Sequence, residues 1–492
     1  MAPLKVALVG GGPSAFYVAS RLLQLLPASN SLGESLRVHI YDRLWAPHGL
    51  VRYGVAPDHP EVKNCTHKFD EAALDPRLSF FGNINISSTP SPIPHAINVP
   101  LSSLFPHYTH LVLASGCTVP RIHPALPPST YCKPALDLVH WYTQHPAQAH
   151  HPAPALDKVD HVTVIGHGNV SLDIARMLLA PIEHLEKYDV PERVLDVLRR
   201  SRVKHVSVVG RRGPLEASFT TKELREMMTL PNASLVPLQP GLLDSVTNSG
   251  EKRTRQQTRL LDLLKKGSTN KFGTTPKTFS LDFFRSPTGI STAPETSSHT
   301  TQLSLAHTVL DSDKRAVPSG ETSSLATDLV VTSLGYRAEP AAAWYEPALG
   351  HLRNVGGRVI GADGKVLKNV YTSGWAATGA KGVLASTMLN AHATVDTILS
   401  DLRAMSPGLK ALQTGPAPPP SSAVLSGEVE QRLNPNPDLE SIPEEILQAR
   451  KDGLAFDYRD WKKVDSEEKR RGEVEGKERE RMDWEGARQF LG

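Results

Sequence analysis

The sequence predicts an α/β protein with two Rossmann-like dinucleotide-binding domains, the second inserted into the first. Three observations predict this. Two glycine-rich turns each follow an apolar strand and open an amphipathic helical pattern. The strands after the two turns end in opposite chemistry, Asp42 in the first unit and Arg211-Arg212 in the second. The strand and helix pattern then returns beyond residue 335, so the first unit is completed by residues that follow the second.

The first strand, Val6-Ala7-Leu8-Val9, leads into Gly10-Gly11-Gly12-Pro13-Ser14-Ala15 and a helical run from Phe16 to Leu25. Gly10 and Gly12 let the chain turn tightly and bring its amides up to a pyrophosphate at the helix N-terminus. The next strand, Arg37 to Tyr41, delivers Asp42, placed to accept hydrogen bonds from a ribose 2′-hydroxyl. A carboxylate there favours FAD or NAD and repels a 2′-phosphate. A Pro/Ser loop, Ser87 to Pro94, interrupts the unit, which closes with Leu111-Val112-Leu113-Ala114 and spans residues 1–117.

The second unit spans residues 118–335. Its strand Val162-Thr163-Val164-Ile165 leads into Gly166-His167-Gly168-Asn169-Val170-Ser171, and its next strand, Val203 to Gly210, ends in Arg211-Arg212. Two guanidinium groups can grip a phosphate bidentately, so this site reads as NADP-selective. The His/Pro/Ala segment His145 to Pro154 reads as a surface loop, and the polar stretches 232–250 and 286–324 as decoration of this domain.

Residues 336–404 return to the first domain. A strand, Val370 to Trp375, precedes a helical run from Gly382 to Leu402 whose N-terminus would face whatever lies beside Gly374 and Trp375. The N1/O2 edge of a flavin is a natural occupant, because the helix dipole stabilises the negative charge of the reduced ring. Residues 405–445 read as a Pro/Ser-rich linker and 446–492 as a mixed-charge tail.

Composition narrows the function. The 492 residues carry a net charge of +3, too little for a nucleic-acid argument, and no apolar run is long enough to span a bilayer. Cys65, Cys117 and Cys132 include no C-x-x-C pair, which argues against a flavin disulfide reductase or a chain carrying its own iron–sulfur cluster. No metal site is expected. The first strand follows Met1-Ala2-Pro3-Leu4-Lys5 directly, which leaves no room for a presequence in the chain as read.

The segment Gly49 to Asn64, reading GLVRYGVAPDHPEVKN, closely resembles the adrenodoxin reductase family of NADPH-dependent ferredoxin reductases. Further blocks agree: Gly166 to Arg176, Val209 to Leu215 with Phe219-Thr220 and Lys222 to Met227, Phe283 to Pro287, Ser373-Gly374-Trp375, and, in the tail, Asp460 to Lys463 with Arg471-Gly472. The tail matches imply an ordered tail packed on the body. The resemblance implies a flavoprotein that takes hydride from NADPH onto FAD and passes single electrons to a small [2Fe–2S] ferredoxin serving Fe–S assembly, haem or sterol pathways. It implies an FAD site at Gly10, Gly12, Pro13, Ser14, Ala15, Asp42, Leu50, Trp375 and Gly382, and an NADPH site at Gly168, Asn169, Val170, Arg211, Arg212 and Glu223. His59 and Asp173 match positions near the flavin that manage its proton. The bland alternatives are that His59 fixes its Pro-rich turn and that Asp173, early in its helix, serves the helix dipole. Arg225, Arg255 and Arg259 match positions that present a basic face to an acidic ferredoxin, and the spacing of the last two puts both on one side of a helix.

His167, Ser171 and the turn Ala376 to Gly382 depart from the family pattern. The resemblance implies a mitochondrial matrix location, with peripheral attachment at the inner membrane allowed. Two other classes compete. A flavin monooxygenase would carry an F-x-G-x-x-x-H linker, which Phe81-Gly82 does not continue, and a non-enzymatic nucleotide-sensing protein would not need Asp42, Arg211 and Arg212 intact.

Overall fold

Two parallel sheets, each with its own apolar core, organise the chain. The computed structural model describes residues 3–149, 151–247, 252–293, 299–405, 425–426 and 433–492. The strand Leu4–Val9 is buried along its whole length, as a strand covered on both faces must be. It pairs in parallel with Leu36–Asp42 on one side and His110–Leu113 on the other. Leu78–Gly82 extends the first side and Val366–Thr372 the second, all parallel. Arg358–Ile360 and Asn354–Val355 add antiparallel strands at that edge, and Leu425–Ser426 pairs with Val366–Thr372 to make eight.

The second sheet has six strands in the order Ala233–Leu235, Lys277–Asp282, His205–Val209, His161–Ile165, Leu329–Thr332, Cys132–Pro134, all parallel. In both sheets the strand order reverses beside the strand that feeds a glycine turn, which opens a crevice at the carboxyl ends of the strands. Gly10 and Gly166 sit there with φ of +107° and +128°. A Cβ on either would lie 2.5 Å from the carbonyl oxygen of Ala114 or 2.3 Å from that of Ser333, at the end of the neighbouring strand. Only glycine fits these positions.

Two expectations for the second unit need correction. Residues 286–324 build an antiparallel ribbon of Arg285–Thr292, Thr301–Leu310 and Ala316–Thr327, but the stretch 232–250 is more than decoration. Its Ala233–Leu235 is a buried edge strand, too short for periodicity to register. The segment His145 to Pro154 is a surface loop only in part. Pro146 is buried, and the half-buried His145 stacks on His140 with centroids 3.7 Å apart and meets Tyr53 edge to face. Residue 150 lies outside the described residues.

The stretch 405–445 falls mostly outside the described residues, and its described end is packed, with Leu433 and Ile442 in the core beside the first sheet. The chain then forms helices Glu444–Lys451, Tyr458–Glu475 and Trp484–Leu491. The middle one starts in a capping box, Asp457 with Asp460, and stops at Gly476 in the left-handed conformation. Tyr458, Trp461, Val464, Met482 and Trp484 join Phe16, Phe69 and Phe80 in the first core. Full burial of each such side chain stabilises by about 1.5–3 kcal/mol, which ties these mixed-charge helices to the body.

Candidate functional site

A cavity of about 470 Å³ opens where the first glycine turn meets the second unit. Gly10 to Ser14 form one wall, Asp42, Leu50 and Trp375 contribute others, and Val170 reaches in from the second glycine turn. The volume lies within the usual range for a ligand site. Both turns present the ends of helices. Pro13–Leu25 is preceded by Gly12 and Asn169–Leu179 by Gly168, and neither helix has a side-chain cap. A Cβ on Gly12 or Gly168 would meet nothing within 4 Å. Both helix N-termini are thus free of side-chain caps, with open space beside the glycine that precedes each, an arrangement that suits phosphate.

Asp42 is buried at the end of its strand, where its carboxylate accepts the amides of Gly11 at 2.9 Å and Leu44 at 3.1 Å. Burial pushes its carboxyl up to about 6 against those hydrogen bonds. The remaining lone pairs are available to a diol at the cavity wall. Ser14 donates to Ser373 at 2.8 Å, while Ala15 is wholly buried beneath the turn rather than in the cavity. Trp375 lines the cavity at the start of the short helix Trp375–Thr378, its indole N–H on the Lys381 carbonyl at 3.1 Å. The following helix, Leu384–Met405, puts Thr387 in the cavity wall and Asn390 on the Gly374 amide at 2.6 Å. Asn390 escaped sequence reasoning. Gly382 is an exposed turn glycine with φ +83° and lies outside the cavity wall.

In the second unit, Arg211 is exposed and Arg212 half-buried just past His205–Val209, and neither forms an ion pair among the described residues. Asn169 accepts the Thr220 amide at 2.8 Å, which anchors the turn to the helix Thr221–Met228. His167 packs against Phe283 with centroids 4.6 Å apart and bonds the Val208 carbonyl at 3.0 Å. Burial lowers its imidazole to about 4, so the departure at this position is accommodated as a neutral packed ring. Ser171 is fully buried.

His59, Asp173 and Glu223 come together around a residue that sequence reasoning passed over, Arg176. Its guanidinium forks onto Asp58 at 2.5 and 3.1 Å and reaches Asp173 at 2.8 Å and Glu223 at 3.1 Å, all buried. His59 hydrogen-bonds Glu226 at 2.6 Å. Both side chains are held by this cluster. The His59 ring does not cap its own turn, and Asp173 lies beyond the first turn of its helix with its carboxylate on Arg176. The signal available in sequence was an Asp/Arg pair three apart on an otherwise apolar helix, Leu172-Asp173-Ile174-Ala175-Arg176-Met177.

Four carboxyls around one arginine and one histidine cannot all ionise at low cost, so the cluster retains a proton. Burial and the Asp173 charge push Glu223 up to about 7, and burial raises Asp173. His59 is raised as well: burial opposes this, and its hydrogen bond to the Glu226 carboxylate overcomes it. Donor atoms of His59, Glu223 and Glu226 lie within 4.8 Å of one another, but Arg176 already occupies both carboxylates, so the set is an ion-pair cluster rather than a cation cage.

The sign of these shifts gives a stability prediction. A carboxyl with a raised folded-state pKa stabilises below its unfolded value and loses that contribution as pH rises through the folded value. For Glu223 the window runs from 4.5 to about 7, and the raised His59 has the same sign. Thermal stability should therefore fall between pH 5 and 7.5, and Glu223→Gln should flatten the fall. An identical decline in both proteins would assign the titration elsewhere.

Arg225 on Thr221–Met228 and Arg255 and Arg259 on Arg255–Lys266 are exposed, and the two helices pack together. The second helix begins in a capping box, Thr254 with Gln257, and buries Leu260, Leu261 and Leu264, which turns the arginines outward. No described helix is long and apolar enough to cross a membrane.

Comparison with known proteins places this architecture. No protein-family model matches the chain. It is 34% identical to the mitochondrial NADPH:adrenodoxin oxidoreductase of Bos taurus over 498 residues, covering 97% of this chain and 90% of that protein. It is 33% identical to the NADPH-ferredoxin reductase FprA of Mycobacterium tuberculosis over 412 residues, 82% of this chain and 85% of that one. The structure of Mycobacterium tuberculosis FprA in complex with NADPH superposes with a TM-score of 0.80 at 29% identity, covering 99% of each chain.

Proposed function

The chain belongs to the adrenodoxin reductase family, and from that premise we propose that it is a flavoprotein that takes electrons from NADPH through FAD and passes them singly to an acidic [2Fe–2S] ferredoxin. The observation that carries this reading is a cavity bordered by both glycine turns, with an acid at one and, at the other, arginines that form no ion pair among the described residues. On this reading residues 118–335 form the NADP-binding domain, inserted into an FAD-binding domain made of 1–117 and 336–404.

FAD, when bound, supplies the conversion of a two-electron hydride donor into one-electron transfers. Gly10, Gly12, Pro13, Ser14 and Ala15 would hold its pyrophosphate turn and Asp42 its ribose, with Leu50 and Trp375 about the ring and Gly382 in the turn that leads into the helix Leu384–Met405. Gly168, Asn169, Val170 and Glu223 would position NADPH, and Arg211 and Arg212 would hold its 2′-phosphate. Trp375 and Leu50, both in the cavity wall, would exclude water where the two rings meet. The cluster of His59, Asp173 and Glu223 would hold the proton that accompanies flavin reduction.

Anaerobic titration of the purified protein with NADPH tests the reading. One equivalent should bleach the flavin absorbance, and a protein that stays colourless after FAD reconstitution would contradict it. Asp42→Asn should weaken FAD binding about 10- to 100-fold, since a hydrogen bond to a charged group is worth about 1.5–3 kcal/mol. An unchanged affinity would remove Asp42 from the ribose site. We propose a mitochondrial matrix location, which the mitochondrial naming of the Bos taurus relative supports, and fractionating cells that carry the tagged chain checks it. Recovery of the chain in the cytosol would exclude it.

A further inference from the structure

We propose that the C-terminal segment sets the spacing between the two cofactor-binding halves, with Arg481 and Glu468 as positioning residues for hydride transfer. The inference rests on the flavin and NADPH reading above. The segment is anchored on the first half, where Trp461, Val464, Met482 and Trp484 sit in the core beside the eight-stranded sheet and Trp484 stacks on His95. From there it reaches the second half. Arg481 forks onto Asp189 at 2.6 and 2.5 Å and donates to the Thr143 carbonyl at 2.5 Å, with 1% and 4% of the paired side chains exposed. The Glu478 amide bonds the Lys187 carbonyl at 3.1 Å, and Glu480 accepts the Glu192 amide at 3.2 Å.

The same segment also grips the loop that lines the cavity. Glu468 holds Arg52 in a bidentate pair at 2.7 and 2.9 Å, with 0% and 5% of the side chains exposed. Arg52 lies in the short helix Leu50–Tyr53, whose first residue faces the cavity. The other oxygen contacts of Glu468 tie this pair to the reach across: it accepts the Met482 amide at 2.9 Å and Arg479 at 3.2 Å. The hydroxyl of Thr143, whose carbonyl Arg481 bonds, shares its proton between the Val139 carbonyl at 2.6 Å and the Tyr53 carbonyl at 3.1 Å. A closed path of buried polar contacts thus runs from the cavity loop through the tail to the second half and back. A buried, forked pair has one geometry, so it fixes a distance where a surface pair would not.

Arg481→Met tests the proposal by rapid mixing of the FAD-loaded protein with NADPH. The rate of flavin reduction per bound flavin should fall about 10- to 100-fold, because displacement of the reacting atoms by roughly an ångström has that cost. FAD content and NADPH affinity should stay at parental values, and Arg481→Lys should recover part of the rate. A residue that served stability alone would lower melting temperature or flavin content and leave the rate per flavin unchanged, which would overturn the proposal. If Arg481→Met does not fold, the triple variant Lys63→Met, Asp189→Leu and Arg481→Met removes the whole buried charge set, since Lys63 also pairs with Asp189 at 3.2 Å, and its rate per flavin decides in the same way. Amide hydrogen exchange supplies a readout independent of NADPH turnover. Faster exchange at both 50–54 and 139–145 supports the coupling, and a change confined to 477–492 overturns it. Failure of the parent protein to be reduced by NADPH would instead contradict the proposed function, with exchange still deciding the role of the tail.

Discussion

Replacing Arg211 and Arg212 together with neutral residues should abolish the preference for NADPH over NADH. Both guanidinium groups stand past the end of His205–Val209, exposed or half-buried, without an ion-pair partner among the described residues. Each charge-assisted contact to a phosphate is worth about 1.5–3 kcal/mol, so losing two costs roughly 3–6 kcal/mol. That corresponds to a fall of about 10²- to 10⁴-fold in kcat/KM for NADPH, with kcat/KM for NADH nearly unchanged. Steady-state rates with both nucleotides measure it. A double variant with the parental NADPH/NADH ratio would show that the 2′-phosphate is held elsewhere.

Reversing Arg255 and Arg259 to glutamate should raise the KM for ferredoxin about tenfold or more at low salt, since like-charge contact at a docking face costs several kcal/mol. The two arginines share one side of Arg255–Lys266, and Arg225 stands on the helix packed against it. Leu260, Leu261 and Leu264 carry the packing on the other side, so the reversal leaves the core of the second half intact. Reduction of ferricyanide, a small acceptor that needs no docking face, should change little. Parental ferredoxin reduction should slow with added salt, as the Debye length shrinks to about 8 Å at physiological ionic strength. Equal loss of both activities would mean that these arginines support the fold.

The turns and their discriminators were legible in the sequence because their chemistry is local. Gly10 and Gly166 are dictated by the approach of one neighbouring strand, and Asp42 and Arg211-Arg212 by their place at a strand end. Asp58–Arg176 and Asp189–Arg481 were not legible, since each joins residues separated by more than a hundred positions and neither partner signals the other. The identity of a buried charge can be read from an apolar helix; its partner requires the fold. Ala233–Leu235 and the seating of the His145 ring on His140 and Tyr53 were missed for a different reason, as three residues and a single ring fall below what periodicity and composition resolve. The mixed-charge tail reads as solvated by composition alone, and only the spacing of Tyr458, Trp461 and Val464 along one helix face accounts for its packing.

Reduction of a purified [2Fe–2S] ferredoxin by the FAD-loaded protein, followed by the absorbance of the cluster, tests the central claim most directly. With NADPH the cluster should be reduced catalytically, with NADH at a small fraction of that rate, and without the protein not at all. NADPH oxidation that proceeds at the same rate with and without ferredoxin, with oxygen as the acceptor and the cluster left oxidised, would contradict it.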